Sequence, residues 1–227
     1  MNNILIVEDE KNLADGLKFN LEIESYKTTV LETAEKALDI FSEYDMMILD
    51  IMLPGMNGIE LLKKIRQMHP RFPVLILSAK SSEENMVEGL AAGADDYMTK
   101  PFSLPELILR VKRMLERHVW YAEATRLQSL FSFSKYWVNF ESFEAMTNKG
   151  KIRLTQYECY VMKYLIENRE RSVSREELLE KVWGYSVAPE TRTVDIFIAR
   201  LRKLFEENSK SPEHLKSVRS IGYRFYK

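Results

Sequence analysis

The sequence predicts two domains: an α/β domain with a doubly wound, five-stranded parallel sheet, and then a smaller α+β domain. Two observations support this division. In the first half, apolar strand-like runs alternate five times with amphipathic helical patterns. From about residue 130, the pattern changes to short alternating segments that are typical of an antiparallel sheet. We therefore assign residues 1–118 to the first domain, 119–129 to a linker and 130–227 to the second domain.

The first domain contains five predicted strand and helix pairs. Leu13, Leu17 and Leu21 recur every four residues and indicate the first helix. Gly93 is placed to end the fourth helix as a C-cap, and Pro105 to begin the fifth. The predicted strands lie at 4–7, 28–31, 46–50, 74–78 and 97–99, and the helices at 10–24, 34–41, 58–68, 83–92 and from 105 onward.

Charged and hydroxyl residues follow directly on four of these strands. Glu8 and Asp9 follow the first, Asp50 ends the third, Ser78 ends the fourth and Lys100 follows the fifth. Because the carboxyl ends of parallel strands meet at one edge of a sheet, we expect these side chains to lie together. Crowded carboxylates repel one another, and a divalent cation that prefers oxygen ligands, Mg²⁺, would balance their charge. Asp50 could then act as a nucleophile, with Lys100 and Ser78 binding the oxygens of a transferred phosphoryl group.

Each of these residues also has an ordinary structural explanation when taken alone. An aspartate after a strand, such as Asp50, is more often a turn or cap residue. Ser78 could cap a helix, and Tyr97 could be a half-buried aromatic. The combination of five such positions in one order makes the chemical interpretation the stronger one.

The second domain is predicted to be a winged helix-turn-helix. Short strands are expected near 130–133, 136–139, 145–147 and 152–154, followed by two capping boxes that begin at Thr155 and Ser174. A loop is expected between Trp183 and Glu190, and a third helix from 191 or 192 to 207. Residues 218–225 would close the chain as a hairpin.

The third helix of this domain is predicted to contact DNA. Its inner stripe consists of Val194, Ile198, Leu201 and Phe205. On the opposite face, Arg200 would reach guanine edges, and Thr193 and Ile196 a thymine methyl group or a phosphate. The hairpin would reach the adjacent backbone or minor groove. Taken singly, each arginine is more often a solvated surface charge. The predicted DNA contacts are Arg192, Thr193, Ile196, Arg200, Lys203, Arg219 and Tyr223.

The charge is distributed unevenly along the chain. Residues 1–118 carry 14 Lys and Arg against 20 Asp and Glu, and the remainder carries 19 against 14, so the net charge of −1 divides into −6 and +5. A basic second half fits a polyanionic partner. The chain lacks an apolar run of the ~20 residues that a membrane span needs and also lacks a signal-peptide pattern, so we expect a cytoplasmic protein. The single cysteine, Cys159, cannot form an internal disulfide.

These motifs resemble those of a known family. Residues 1 to about 118 resemble a two-component receiver domain of the CheY type, and the whole chain resembles an OmpR/PhoB-family response regulator. The second-domain match lies in Arg192-Thr193-Val194-Asp195, Arg200-Leu201-Arg202 and Gly222-Tyr223-Arg224-Phe225. The resemblance implies that Asp50 is the phosphoacceptor, that Lys100 binds the phosphoryl group, and that Ser78 and Tyr97 form a switch pair. It also implies Mg²⁺ bound by Glu8, Asp9, Asp50 and the Met52 backbone carbonyl, and a cis Lys100-Pro101 peptide bond.

The resemblance further implies a non-enzymatic regulator of transcription. A histidine kinase would phosphorylate Asp50, and the face of the fourth helix, fifth strand and fifth helix would then pair as a homodimer that binds DNA and contacts RNA polymerase. Four positions depart from the family pattern: Met86 where a basic residue is frequent, Phe197 and Ala199 where histidine and arginine occur, and Ser220 where glycine is usual. The charges expected on the dimer face are Asp95, Asp96, Glu106, Arg110, Arg113 and Arg117.

Two other functions are compatible with the same residues. One is a metal-dependent aspartyl-phosphate phosphatase of the haloacid-dehalogenase type. Such enzymes carry an acid two residues after the nucleophile, where this chain has Met52. The other is a DNA-binding regulator whose first domain pairs without phosphorylation.

Overall fold

The computed structural model describes residues 1–79, 82–124, 129–185 and 192–227, without the side chains of Glu83 and of residues 117–124. Contacts between residues divide the chain into two compact units, Met1–Arg117 and His118–Lys227. The fifth helix of the first unit runs on to Ala124. It therefore overlaps most of the segment that the sequence suggested as a linker, and residues 125–128 of that segment lie outside the described residues.

Unit 1 is built on one five-stranded sheet with the order β2-β1-β3-β4-β5, in which every neighbouring pair is parallel. The predicted doubly wound parallel sheet is thus confirmed. A short 3-10 turn at Phe41–Glu43 follows the second helix. The strands are β1 (Asn3–Val7), β2 (Lys27–Leu31), β3 (Met46–Asp50), β4 (Val74–Ser78) and β5 (Asp96–Thr99). The helices are α1 (Lys11–Ile23), α2 (Ala34–Ile40), α3 (Gly58–Met68), α4 (Glu83–Ala92) and α5 (Leu104–Ala124).

The strand order reverses at β1, which has β2 on one side and β3 on the other. In open α/β sheets, the crevice beyond the carboxyl ends of strands at such a reversal is the usual place for chemistry. Strands β1, β3 and β4 are almost entirely buried because helices cover both faces of the sheet. The residues that follow β1 and end β3 are therefore brought side by side at the edge of a rigid core.

The predicted inner faces of the helices are mostly correct. Leu17 and Leu21 of α1 are buried. The apolar residues spaced at the helical repeat in α3 and α5 are buried as well, namely Ile59, Leu62, Ile65, Leu107, Val111, Met114 and Leu115. In α4, Met86 and Leu90 face the core, whereas Val87, one residue after Met86, is 41% exposed. The predicted C-cap, Gly93, has a left-handed φ of +118°.

Unit 2 has the predicted winged helix-turn-helix architecture. A four-stranded antiparallel sheet comes first, and a three-stranded sheet of order β10-β12-β11 closes the chain. The strands are β6 (Leu130–Phe133), β7 (Tyr136–Asn139), β8 (Glu144–Thr147), β9 (Gly150–Arg153), β10 (Val173–Ser174), β11 (Leu215–Val218) and β12 (Gly222–Phe225). The helices are α6 (Gln156–Glu167), α7 (Arg175–Leu178), which continues into a π-helical turn at Leu179–Trp183, and α8 (Arg192–Phe205).

Local chemistry explains where the helices of unit 2 begin. Thr155 and Glu158 form a complete capping box at the start of α6, and the Ser174 hydroxyl accepts a hydrogen bond from the Glu177 backbone N–H at the start of α7. Helix α8 ends at Phe205, two residues before the predicted end. The predicted loop between Trp183 and Glu190 lies largely outside the described residues.

An aromatic cluster holds α6, the π-helical turn and α8 together. The Trp183 ring stacks on Tyr157 with centroids 5.3 Å apart and meets the edge of Phe197 at 5.1 Å. All three side chains are essentially buried. Phe197 therefore points into the core.

Among the described residues, no helix combines the length and the apolar content needed to cross a bilayer.

Candidate functional site

The carboxyl edge of the first sheet brings three acids and one lysine together. Carboxylate oxygens of Glu8, Asp9 and Asp50 lie within 4.8 Å of one another. The Lys100 ammonium donates to Glu8 Oε2 at 2.7 Å and to Asp50 Oδ2 at 2.5 Å. Glu8 and Asp50 are buried, whereas Asp9 is exposed. The strand ends thus assemble the side chains that the sequence suggested would meet.

Burial and charge shift the pKa values of two groups in this cluster. Burial raises the pKa of Glu8, and the nearby charge of Asp50 raises it further. The hydrogen bond from Lys100 lowers the pKa but does not cancel these two effects. Burial alone would lower the pKa of Lys100, but its hydrogen bonds to Asp50 and Glu8 outweigh that effect and raise it. The lysine therefore stays cationic between two acids. Three carboxylates around one ammonium still leave excess negative charge, and a set of carboxylate oxygens suits Mg²⁺.

The loop after β3 is anchored at both of its ends. The Met52 backbone N–H donates to Asp50 Oδ1 at 2.9 Å, and the Met56 N–H donates to Glu35 Oε1 at 2.8 Å. Gly55 has a φ of +75°, and a Cβ there would lie 2.8 Å from the same Glu35 oxygen. The role of Glu35, on α2, could not be predicted from the sequence, because its partner lies 21 residues away and no local pattern links the two.

Ser78 and Tyr97 lie on the neighbouring strands β4 and β5, offset from each other by two residues in the register. Ser78 is fully buried, and the Tyr97 side chain is only 4% exposed. A hydrogen bond joins the two side chains, and burial raises the pKa of Tyr97, with added contributions from the charges of Asp50 and Glu88. Tyr97 therefore already lies inward. The Lys100-Pro101 peptide bond is cis, which confirms that prediction.

Three charges expected on a dimer face instead form contacts within the chain. Asp95 is buried and accepts hydrogen bonds from Arg66 at 2.7 Å and from the Val74 N–H at 2.9 Å. Asp96 pairs with Arg110 at 2.6 Å. Asp95, Asp96 and Arg110 are thus buried with their charges paired inside one chain, and their place on a dimer face stays a prediction.

The remaining members of that expected face differ in their surroundings. Glu106 accepts a hydrogen bond from Arg110 at 2.6 Å, so it has a partner in its own chain. Met86, which departs from the family pattern, is nearly buried. Arg113 is half-buried, and the Arg117 side chain lies outside the described residues. Among the described side chains of α4 and α5, the large apolar ones that are exposed are Val87, at 41%, and Leu109, at 42%.

Helix α8 is covered on more sides than its sequence pattern indicated. The predicted inner stripe is buried, but Thr193, Ile196 and Arg200 are buried as well, each with less than a tenth of its surface exposed. The prediction that these three side chains lie on the exposed face of the helix is therefore wrong. The reason is that Phe197 packs against Trp183 on a second side of the helix. The exposed residues of α8 are Arg192, Ala199 and Lys203.

Arg200 is bound to an acid of another helix. Its Nη2 donates to Glu158 Oε1 at 2.7 Å, and its guanidinium carbon lies 4.7 Å from the centre of the Phe197 ring. Both side chains of the ion pair are 9% exposed. Arg200 consequently does not extend freely from the helix.

The wing formed by β11 and β12 is fastened to α8. The Tyr223 hydroxyl donates to Asp195 Oδ1 at 2.5 Å and accepts from Arg175 Nη2 at 3.2 Å. Burial, reinforced by Asp195, raises the pKa of Tyr223 to about 12. Tyr223 is thus a buried link, which corrects its expected exposure. At the tip, Arg219 is exposed, and Ser220 takes a left-handed φ of +61° at the position where glycine was expected.

Comparison with known proteins identifies both units. Residues 4–112 match the family described as "Response regulator receiver domain", and residues 149–225 match "Transcriptional regulatory protein, C terminal". Sensory transduction protein RegX3 of Mycolicibacterium smegmatis is 37% identical over 226 residues, covering 99% of each chain. The alkaline phosphatase synthesis transcriptional regulatory protein PhoP of Bacillus subtilis is 36% identical over 228 residues, covering 97% of this chain and 95% of PhoP.

A solved structure gives the same relationship. The response regulator DrrB, described as a Thermotoga maritima OmpR/PhoB homolog, is 32% identical with a TM-score of 0.53, and the match covers 100% of both chains.

Proposed function

This chain belongs to the OmpR/PhoB family of two-component response regulators, and on that premise we propose that phosphorylation of Asp50 controls its pairing and its sequence-specific binding to DNA. A receiver domain joined to a transcriptional DNA-binding domain makes it a regulator of transcription. The partners that follow from this proposal are a sensor histidine kinase, double-stranded DNA, RNA polymerase and a second copy of the chain. We propose that the protein meets these partners in the cytoplasm.

The observation that carries the proposal is the convergence of Asp50, Glu8, Asp9 and Lys100 at one sheet edge. A carboxylate oxygen of Asp50 attacks the phosphorus of a phosphohistidine, and the P–N bond breaks with its electron pair going to the imidazole. The Met52 N–H and the Lys100 ammonium hold the carboxylate in one orientation beforehand. Lys100 then binds an oxygen of the transferred phosphoryl group.

The acids of this edge would also hold Mg²⁺. Glu8, Asp9, Asp50 and the backbone carbonyl of Met52 are the groups that would bind it. When bound, the ion supplies positive charge that balances the carboxylates and the incoming phosphoryl oxygens. The loop carrying Met52 is fixed by Asp50 at one end and by Glu35 at the other, which supports its role as a ligand-bearing segment.

A phosphatase would require a general acid near Asp50. The position two residues later is Met52, whose apolar side chain is 54% exposed and cannot donate a proton. We therefore expect the phosphoryl group to persist on Asp50.

The inward position of Tyr97, hydrogen-bonded to Ser78, supports coupling between the site and the face formed by α4, β5 and α5.

Pairing through that face is proposed to rest on apolar contact. Val87 on α4 and Leu109 on α5 are exposed, and Glu106, which pairs with Arg110 of its own chain, and Arg113 are both half-buried. Buried apolar area contributes about 25 cal/mol per Å², whereas exposed ion pairs contribute about 0–1 kcal/mol each. A symmetric dimer would set two α8 helices ~34–36 Å apart, one turn of DNA.

The phosphate contacts to DNA are proposed to come from exposed cations on α8 and the wing. Arg192, Lys203 and Arg219 are exposed and suit phosphate contacts. The net charge of +5 on residues 119–227 supports a polyanionic partner.

Two assays test this function. Mg²⁺ and a small acyl-phosphate donor are added, and the intact mass and the release of inorganic phosphate are followed. The proposal is supported if a phosphoryl mass persists on the wild-type protein, is absent from Asp50→Ala and is retained by Asp15→Asn. Asp15 is the control because it is an exposed acid on α1. Continuous phosphate release without a lasting mass would support the phosphatase instead.

The second assay measures DNA binding. Affinity for duplex DNA should fall with salt at a log–log slope of about −0.9 per phosphate contacted. A zero slope would contradict the DNA assignment.

A further inference from the structure

The ion pair between Arg200 and Glu158 joins the DNA-facing helix to the first turn of α6. Arg200 Nη2 donates to Glu158 Oε1 at 2.7 Å, across 42 residues of sequence. Each side chain is 9% exposed, so the pair is largely shielded from water. A charge pair with this burial interacts more strongly than one on the surface, and removing either partner leaves the other poorly compensated.

Glu158 is a fixed acceptor. Its Oε2 accepts the Thr155 backbone N–H at 2.8 Å, and its own N–H donates to the Thr155 hydroxyl at 3.4 Å. It also lies in the first turn of α6, where the partial positive charge of the helix N-terminus favours a carboxylate. One oxygen of Glu158 therefore completes the helix cap while the other binds Arg200, and neither oxygen is free to follow Arg200 outward.

Arg200 is also held on a second side. Its guanidinium lies 4.7 Å from the ring centre of Phe197, which is fully buried and packed against Trp183. Guanidinium groups stack favourably on aromatic faces, so the ring adds to the attraction. Among its described contacts, Arg200 thus lies between a fixed carboxylate and a fixed ring.

We propose that Glu158 is a specificity-determining residue that restrains Arg200, so that Arg200 reaches a base only by exchanging the Glu158 carboxylate for acceptors that replace it. The inference rests on the proposed DNA-binding function of α8. A guanine edge offers two acceptors in the geometry of the guanidinium fork and can compensate for the broken pair. A site without matching acceptors leaves Arg200 bound to Glu158, and the protein then binds only through its exposed cations. Glu158 in this way lowers affinity for non-matching sequences more than for matching ones.

The test uses two probes and a cycle of variants of the full-length protein. One probe is a duplex that the wild-type protein selects from a randomised pool, and the other is a scrambled duplex of the same length and composition. Glu158→Gln, Arg200→Ala and the double variant are compared with wild type. Thr155→Ala is the matched control, because it damages the same helix cap without touching the ion pair. Thermal unfolding is recorded for every variant.

We expect Glu158→Gln to strengthen binding to the scrambled duplex and to reduce the ratio of the two affinities by about tenfold, the order of one base contact. Thr155→Ala should leave that ratio unchanged. Once Arg200 is alanine, Glu158→Gln should no longer alter the ratio. Equal effects of Glu158→Gln with and without Arg200, or a ratio that Glu158→Gln leaves unchanged, would overturn the proposal.

A second measurement needs no variant, and so it holds even if Glu158→Gln fails to fold. The guanidinium signals of Arg200 in the wild-type protein are followed by ¹⁵N NMR. The signals should show a guanidinium group with restricted motion both in the free protein and in the complex with the scrambled duplex. In the complex with the selected duplex they should shift, because Arg200 has exchanged Glu158 for a new partner. The same restrained signal on both duplexes would make the pair a structural bridge only. If the wild-type protein selects no sequence from the pool, the proposed DNA-binding function itself fails.

Discussion

Gly89 and Tyr97 are packed so closely that a Cβ added at Gly89 would lie 3.1 Å from two carbons of the Tyr97 ring and 2.9 Å from Ile76 Cδ1. The absence of a side chain on this turn of α4 therefore makes room for the inward tyrosine on β5. Tyr97 in turn hydrogen-bonds Ser78 at the end of β4. A single methyl group at position 89 should thus disturb the switch pair.

Gly89→Ala should destabilise the folded protein by about 1–3 kcal/mol, because overpacking a tight contact displaces the ring or the helix. The matched control is Gly16→Ala on α1, where a Cβ meets nothing within 4 Å. That control should gain up to about 1 kcal/mol from helix propensity. Urea unfolding of both variants measures the difference, and a Gly89→Ala variant as stable as the control would contradict the packing argument.

Glu35→Ala should slow phosphorylation of Asp50 by an acyl-phosphate donor on the order of tenfold, because the loop loses its bond to the Met56 N–H. Glu35→Gln keeps an acceptor oxygen and should retain most of the rate. Asp39→Ala, an exposed acid on the same helix, is the control. The initial rate of phosphoryl mass gain is the measurement. Equal rates for the alanine and glutamine variants of Glu35 would show that this bond does not position the loop.

Arg66→Leu should destabilise unit 1 by about 3–5 kcal/mol, the usual cost of leaving one partner of a buried ion pair alone. Besides Asp95, Arg66 donates to the Gly93 carbonyl at 2.8 Å and the Phe72 carbonyl at 2.5 Å. Lys64→Leu on the exposed side of α3 should change stability little. The free energy of unfolding in urea tests this. If Arg66→Leu and Lys64→Leu behaved alike, Asp95 would not depend on Arg66.

Acid should weaken unit 2 through Glu177. Its pKa is lowered to about 2, chiefly by hydrogen bonds from Arg171, with a further bond from Tyr164 at 2.6 Å. Because the folded pKa lies below the ordinary value of 4.5, this stabilisation is present above about pH 4.5 and is lost as the pH falls towards 2. Thermal midpoints measured across this range should fall more steeply for wild type than for Glu177→Gln. Parallel curves would contradict the assignment.

The fold and the reacting edge follow from the sequence for a simple physical reason. Strand alternation and strand-end chemistry are local patterns, and a parallel sheet brings strand ends together whatever the side chains elsewhere do. Asp50 and Lys100 could therefore be predicted to meet, although 50 residues separate them.

The partners of the buried charges could not be predicted in the same way. Arg200 could bind DNA, water or an acid, and only the packing of α6 against α8 selects Glu158. The periodicity of α8 also predicted a single buried stripe. Phe197 lies outside that stripe and is buried on a second side of the helix, where it packs against Trp183. Asp95 likewise pairs with Arg66 of α3, and no local pattern in the sequence links these two residues.

The most direct measurement is the solution molecular weight of the protein, taken together with its intact mass, before and after reaction with Mg²⁺ and an acyl-phosphate donor. We predict that the weight doubles only in samples that carry the phosphoryl mass, that Asp50→Ala stays unpaired, and that Leu109→Ser is phosphorylated but pairs weakly. A phosphoryl mass on Asp50 with no change in weight, or equal pairing before and after the reaction, would contradict phosphorylation-controlled pairing.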